Sequence, residues 1–254
     1  MKESVHTQQQ KSLKILLIGD DCLDVYQFGT VDRISPEAPV PIFKYSHKEE
    51  RPGMARNVKA NLEELGCTVT YLSNSTSVKT RLIDIRSKQQ IVRIDNDNRS
   101  QPITIETDIP DLYDAIVISD YEKGSVSYEL VEEIIKESKC PVFIDTKKHD
   151  LERFQGAWVK INEQEYSQIK SECSGLIVTK GSKGACAIHH GIEMPAIPVE
   201  VVDVTGAGDT FISALAVKWC ETKDIKKSIE FAIKASAITV QHLGCYAPTL
   251  KEIL

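Results

Sequence analysis

The run Asp203-Val-Thr-Gly-Ala-Gly-Asp209 carries the residue types and spacing best suited to chemistry in this 254-residue chain. It follows the apolar Val201-Val202 and opens into the amphipathic continuation Thr-Phe-Ile. Gly206 and Gly208 let successive backbone N–H groups converge on one point, and a helix starting there adds its unpaired N–H groups and the positive end of its dipole. Such a turn is an anion hole suited to a phosphoryl group in transfer. Asp209, at the helix start, can orient a hydroxyl and take its proton as the phosphoryl group moves in line. The same residues would also serve as a plain helix cap after a tight turn.

The elements that must position this turn alternate along the chain. Apolar runs at Leu13–Gly19, Thr68–Leu72, Ala115–Ser119, Pro141–Asp145, Trp158–Ile161, Leu176–Thr179 and Ala185–His189 read as strands, several of them buried on both faces. Helical stripes fall between and after them. They are Val58, Leu62 and Leu65; Leu130, Val131, Ile134 and Ile135; Ile212, Leu215, Ala216 and Trp219; and Ile229, Ala232, Ile233, Ser236, Ala237 and Val240. This order predicts an α/β fold, a doubly wound and mostly parallel sheet with helices on both faces. Its ligand site then lies at the strands' C-terminal ends. Two stretches, about residues 38–50 and 79–96, have strand character without a crossover helix, and the second turns back near Ser87-Lys88. They predict a small β lid on a single domain of residues 12–254, with residues 1–11 a disordered tail.

Bulk composition sets the class. The net charge of −6, from 31 basic and 37 acidic residues, disfavours nucleic acid as a partner. No apolar run reaches the length of a membrane span. Seven cysteines without Cys-x-x-Cys spacing, and a polar N-terminus, fit reduced thiols in a cytoplasmic protein. Adjacent strand residues face opposite ways, so His189-His190 does not form a joint metal site, and no histidine is assigned a catalytic role.

The whole pattern Asp-x-Thr-Gly-Ala-Gly-Asp-Thr at 203–210 resembles the signature of the ribokinase (PfkB) sugar-kinase family. The resemblance implies that Asp209 is the catalytic base, that Gly206, Ala207 and Gly208 form the anion hole, and that ATP is the donor. The Gly-Lys-Ser/Thr of a P-loop is absent. Ile18-Gly-Asp-Asp-Cys-Leu-Asp24 resembles the family's first strand and the turn bearing a sugar-binding aspartate, Asp24. Asn162-Glu-Gln-Glu165 resembles the Asn-x-x-Glu motif that helps organise Mg²⁺, with Glu165 acting through water; Mg²⁺ keeps much of its hydration shell. Thr179-Lys-Gly-Ser-Lys-Gly184 is similar to the nucleotide-side turn, so Thr179, Gly181, Gly184, Thr205 and Gly244 are expected on the nucleotide. Activation by a monovalent cation is left open.

A narrower likeness spans residues 14–249. Arg33-Ile-Ser-Pro-Glu-Ala-Pro-Val-Pro41, Glu50-Arg-Pro-Gly53 with Asn57, Lys79-Thr-Arg81, Gln89–Asp95 and Ser119-Asp-Tyr-Glu-Lys-Gly124 are similar to the heptose-7-phosphate kinases of lipopolysaccharide-precursor synthesis. The acceptor implied is a sugar or sugar phosphate, reacting at C1 of heptose 7-phosphate. Gly53 would admit close backbone approach, and Asn57 would bond sugar hydroxyls. Two or three of Arg33, Arg51, Lys79, Arg81, Arg93 and Lys123 would hold the acceptor's phosphate. A homodimer through the lid is likewise implied. Met54 stands where a second glycine is usual, Arg56 where a small residue is common, and Thr146 replaces the proline of Asp-Pro-Lys. About one strand–helix unit is missing between Leu72 and Lys79, and the bifunctional relatives' nucleotidyltransferase domain is not matched. The competing readings are a kinase of another sugar or a nucleoside, and a non-catalytic sugar- or nucleotide-binding relative.

Overall fold

The computed structural model describes residues 12–74, 76–105 and 112–254, so the expected tail at 1–11 lies outside the described residues. The strands are β1 (Lys14–Gly19), β2 (Asp21–Ile34), β3 (Pro41–Met54), β4 (Thr68–Leu72), β5 (Thr76–Asp84) and β6 (Gln90–Asn96). They continue with β7 (Ala115–Asp120), β8 (Val142–Thr146), β9 (Trp158–Asn162), β10 (Gly175–Thr179), β11 (Ala185–Ala187) and β12 (Ile192–Met194). The helices are α1 (Ala55–Glu64), α2 (Tyr128–Glu137), α3 (Glu163–Tyr166), α4 (Ala207–Thr222), α5 (Ile225–Thr239) and α6 (Leu250–Ile253).

Eight strands form the main sheet in the order β12-β11-β10-β9-β8-β7-β1-β4. It is parallel from β4 to β10 and antiparallel at β11 and β12. Alternation along the strands builds two cores, because successive side chains leave opposite faces. Ile15, Leu17, Val117 and Phe143 pack with α1, α4 and α5. Leu16, Ile18, Ile116, Ile118 and Ile144 pack with α2 on the other side. All seven expected main-sheet strands are present, with the run at 185–189 ending at Ala187, where a 3₁₀ turn (Ile188–His190) begins. The three-residue β12 carries no periodic signal, and it was not expected.

The second sheet has the order β3-β2-β5-β6. It contains the two accessory segments and adds β2, which sequence periodicity missed. The chain passes from β1 through Asp20 straight into this sheet, so Asp24 lies on a strand rather than on a turn. β3 likewise runs directly into α1, contrary to the expectation that no helix follows it. Arg56, in the first turn of α1, donates to both oxygens of Asp21 (2.9 and 2.5 Å), and the Thr76 hydroxyl donates to the same carboxylate at 3.0 Å. Arg56 therefore clamps the root of the lid. Thr146 donates to the buried Asp120 at 2.7 Å, tying β8 to β7. β4 is an edge strand of the main sheet.

Met54 has φ 50° and ψ −134°, and its side chain is buried. That backbone region suits glycine, and a bulky residue held there is strained. The turn from β3 into α1 imposes it: Ala55 N–H donates to the Asp20 carbonyl at 3.0 Å, and the helix has no side-chain cap.

Candidate active site

Tyr121, Asp145, Asn162 and Thr179 lie at the C-terminal ends of the parallel strands β7 to β10, and the turn at Gly206 comes to them from the chain beyond β12. Gly206, with a left-handed φ of 81°, turns the chain into α4, and Asp209 falls in the first helical turn, 3% exposed. A Cβ on Gly206 would stand 2.8 Å from Asn57 Nδ2, so glycine is needed for space as well as for conformation. Asn57 Nδ2 donates to Asp209 Oδ2, and the Tyr121 hydroxyl donates to Oδ1, each at 2.8 Å. Burial pushes the Asp209 carboxyl up to about 6; Asp145 pushes the same way, while Asn57, Tyr121 and Lys160 oppose it. A carboxylate so raised is still ionised near neutral pH and is basic enough to accept a hydroxyl proton. Asn57, expected on the sugar, is hydrogen-bonded to Asp209.

Beside this turn opens a cavity of about 400 Å³, a size usual for a small-molecule site. Ala207 and Gly208 form its inner end, and Thr179, Gly181 and Gly184 lie along it. Ile197, Val199, Val201, Phe211, Ile233 and Val240 make most of the rest apolar. Two residues expected on the nucleotide lie elsewhere. Thr205 donates its N–H (3.0 Å) and hydroxyl (2.7 Å) to Asp203, fixing the turn. Gly244 donates its N–H to Asp203 at 2.8 Å and packs against Arg51 and Tyr26, on the lid side.

Asn162 and Glu165 form a reciprocal cap on α3, with Asn162 Oδ1 accepting from Glu165 N–H and Glu165 Oε2 accepting from Asn162 N–H. The other oxygen of Glu165 accepts from Lys147 Nζ at 2.8 Å. Burial alone would raise this carboxyl, but Lys147 and the Asn162 N–H outweigh it and hold it below its usual range. No cluster of three metal-ligating side chains occurs among the described residues. Each oxygen of Glu165 thus already accepts a hydrogen bond from within the protein.

Asp24 and Gly53, with several of the candidate cations, lie on the lid. Asp24 stands opposite Arg51 on β3 and Lys79 on β5, and it is ion-paired to Arg81. Arg51 and Arg81 both lie over the Tyr26 ring, at 4.9 and 5.2 Å. A Cβ on Gly53 would meet Asp24 Oδ2 at 2.5 Å, so this glycine makes room for the carboxylate itself. Three of the six candidate cations therefore converge: Arg51, Lys79 and Arg81. The others do not. Arg33 is exposed near the far end of β2, nine residues or about 30 Å along the strand from Asp24. Arg93 is held by Asp95 on the outer strand, and Lys123 by Asp97 at 2.6 Å.

Sequence reading passed over two residues here. Tyr121 lies in the run Ser119–Gly124, but nothing in its spacing pointed to Asp209. Lys160 had a visible signal, a lysine between the buried Val159 and Ile161. Its Nζ donates to Asp145 Oδ2 at 2.7 Å.

Among solved structures, a ribokinase from Thermotoga maritima superimposes with a TM-score of 0.72 at 19% identity, covering 95% of this chain and 98% of that one. An Arabidopsis thaliana ribokinase complexed with ribose and ATP gives 0.71 at 17% identity, covering 95% and 97%. Two curated relatives are similar in sequence. The bifunctional protein HldE of a Nitratiruptor species is 32% identical over 298 residues, taking in 94% of this chain and 64% of that protein. That of Vibrio parahaemolyticus is 32% identical over 302 residues, taking in 95% and 62%. The chain thus spans somewhat over three fifths of these relatives' length. Both matches run over more residues than the 254 present, so the relatives carry segments that this chain lacks. Residues 54–252, which include α1, the residues lining the apolar cavity and Asp209, match the model described as pfkB family carbohydrate kinase, and the chain belongs to that family of sugar kinases.

Proposed function

We propose that the protein transfers the γ-phosphoryl group of ATP to a hydroxyl of a sugar phosphate, with the C1 hydroxyl of a heptose 7-phosphate as acceptor. One observation carries the reading: Asp209 sits buried in the first turn of α4, its carboxyl pushed up to about 6, next to Gly208, which lines the apolar cavity. The cavity takes the nucleotide, and its phosphates reach the N–H groups of Gly206, Ala207 and Gly208. Asp24 receives sugar hydroxyls, and Arg51, Lys79 and Arg81 supply the charge a second phosphate needs. For this, Arg81 must yield part of its hold on Asp24. Similarity to the HldE proteins supports heptose over other sugars.

Asp209 takes the acceptor proton, and Asn57 and Tyr121 keep its carboxylate aimed. Mg²⁺, with Glu165 reached through water, would neutralise the nucleotide phosphates when bound. The lid excludes water from the reacting centre. Its outer surface leaves Tyr45, Val92 and Ile94 exposed, which favours a second copy of the chain as its partner.

The test is incubation with Mg-ATP and a panel of sugars, sugar phosphates and nucleosides, with products identified by mass. A phosphorylated heptose 7-phosphate supports the proposal; a free hexose or nucleoside as the sole product refutes the acceptor assignment. Asp209→Asn should lose about 10²–10⁴-fold in rate while still binding ATP. Normal turnover by that variant would remove Asp209 as the base.

A further inference from the structure

β9 carries Lys160 into the interior, 5% exposed, on the sheet face covered by α4. Asp145 lies directly opposite on β8 and accepts from its Nζ at 2.7 Å. An ammonium has three donors, and Asp145 is the acceptor for one of them among the described residues. The backbone of Gly208 shows where the group lies. A Cβ there would stand 2.7 Å from Lys160 Nζ and 3.6 Å from Asp145 Oδ2. The ammonium is therefore pressed against the anion hole, one residue from Asp209, and only glycine leaves that approach open.

We propose that Lys160 is a further catalytic residue: its ammonium contacts the nonbridging oxygens of the phosphoryl group in transfer, and Asp145 holds it there. This rests on the phosphotransfer reading above. In the step, a bond forms between the acceptor oxygen and the γ-phosphorus. The bond from that phosphorus to the β–γ bridging oxygen breaks, its electron pair leaving on ADP. The acceptor proton passes to Asp209, and Lys160 keeps its own protons throughout. A fixed cation in a water-excluded site contributes most where charge gathers in the transition state, and it needs no reorganisation.

Two variants test this, Lys160→Met and Lys160→Met/Asp145→Asn. The double variant leaves no unpaired buried charge, so it keeps the test open if the single one fails to fold. Calorimetry would measure ADP binding with Mg²⁺, alone and with aluminium fluoride, which mimics the planar phosphoryl group and needs no acceptor. Expected are near-native ADP affinity, loss of the tightening produced by fluoride, and a kcat lower by about 10²–10³ with acceptor KM little changed. A lysine that merely neutralised Asp145 would become dispensable once Asp145 is also neutral. Native fluoride tightening and native kcat in the double variant would therefore overturn the proposal. If the wild type phosphorylates no acceptor in the panel, the acceptor assignment fails, while the fluoride measurement still decides the role of Lys160.

Discussion

Replacing Asp209 by Asn should stabilise the fold at alkaline pH relative to acid pH, by an amount the carboxyl's environment sets. Burial lifts this group from 3.8 to about 6. The folded protein thus binds its proton more tightly than the unfolded chain does. The stabilisation this provides is complete below the unfolded value and is lost as pH rises through 6. At pH 8 the buried anion forgoes about 3 kcal/mol of it, roughly two pKa units at 1.36 kcal/mol each. Asparagine binds no proton, so the stability difference between variant and wild type isolates this one group. Linkage makes the variant's relative stability about 1–2 kcal/mol higher at pH 8 than at pH 5. An amide cannot accept from both Asn57 and Tyr121, but that cost is independent of pH and cancels in the comparison. Urea unfolding of both proteins at pH 5, 6, 7 and 8, at constant ionic strength, would measure it; the corresponding shift in melting temperature is about 3–6 °C. A difference that stays flat across this range would refute the raised carboxyl. With it would go the reason for expecting wild-type kcat/KM to fall about tenfold per pH unit below 6.

Met54→Gly should be more stable than Met54→Ala by about 1–2 kcal/mol in urea denaturation, reversing the usual order of the two residues, because only glycine relieves φ 50°, ψ −134°. Alanine at least as stable as glycine would show that the turn is unstrained. Gly53→Ala should raise the acceptor KM and leave ATP affinity intact, since the new methyl displaces Asp24; equal effects on both ligands would contradict the placement of this glycine. Arg51→Gln and Arg81→Gln should each raise KM for a phosphorylated acceptor about tenfold or more, as loss of a charged hydrogen bond does, whereas Arg33→Ala should leave it unchanged. An Arg33 effect as large as the other two would move the phosphate site toward the far end of β2, or bring in a neighbouring subunit.

Much of the scaffold was legible because burial on both faces writes continuous apolar strands, and amphipathic stripes mark the helices between them. β2 was not legible. Its burial is irregular, and with Gly29 and a register shift at Phe28/Gly29 no alternation survives. The turn at 203–210 and Asp209 stood out in the sequence, since glycines before a helix mark a tight turn, but only the longer Asp-x-Thr-Gly-Ala-Gly-Asp-Thr pattern set it apart from a plain helix cap. The six candidate cations could not be sorted, because charge type carries no address. Pairing of β2 with β3 and β5 put Arg51, Lys79 and Arg81 beside Asp24 and left Arg33 at the far end.

By itself, then, the sequence determined the alternating scaffold and the glycine turn into α4, features encoded within a few consecutive residues. Only the tertiary structure decided what Asp209 touches. Asn57 is 152 positions away from it and Tyr121 is 88, and their hydrogen bonds exist only after α1, β7 and α4 have packed. Lys160 reaches the anion hole through the pairing of β8 with β9 and through the missing side chain of Gly208. Contacts between distant segments follow from strand order and register, which local pattern does not encode.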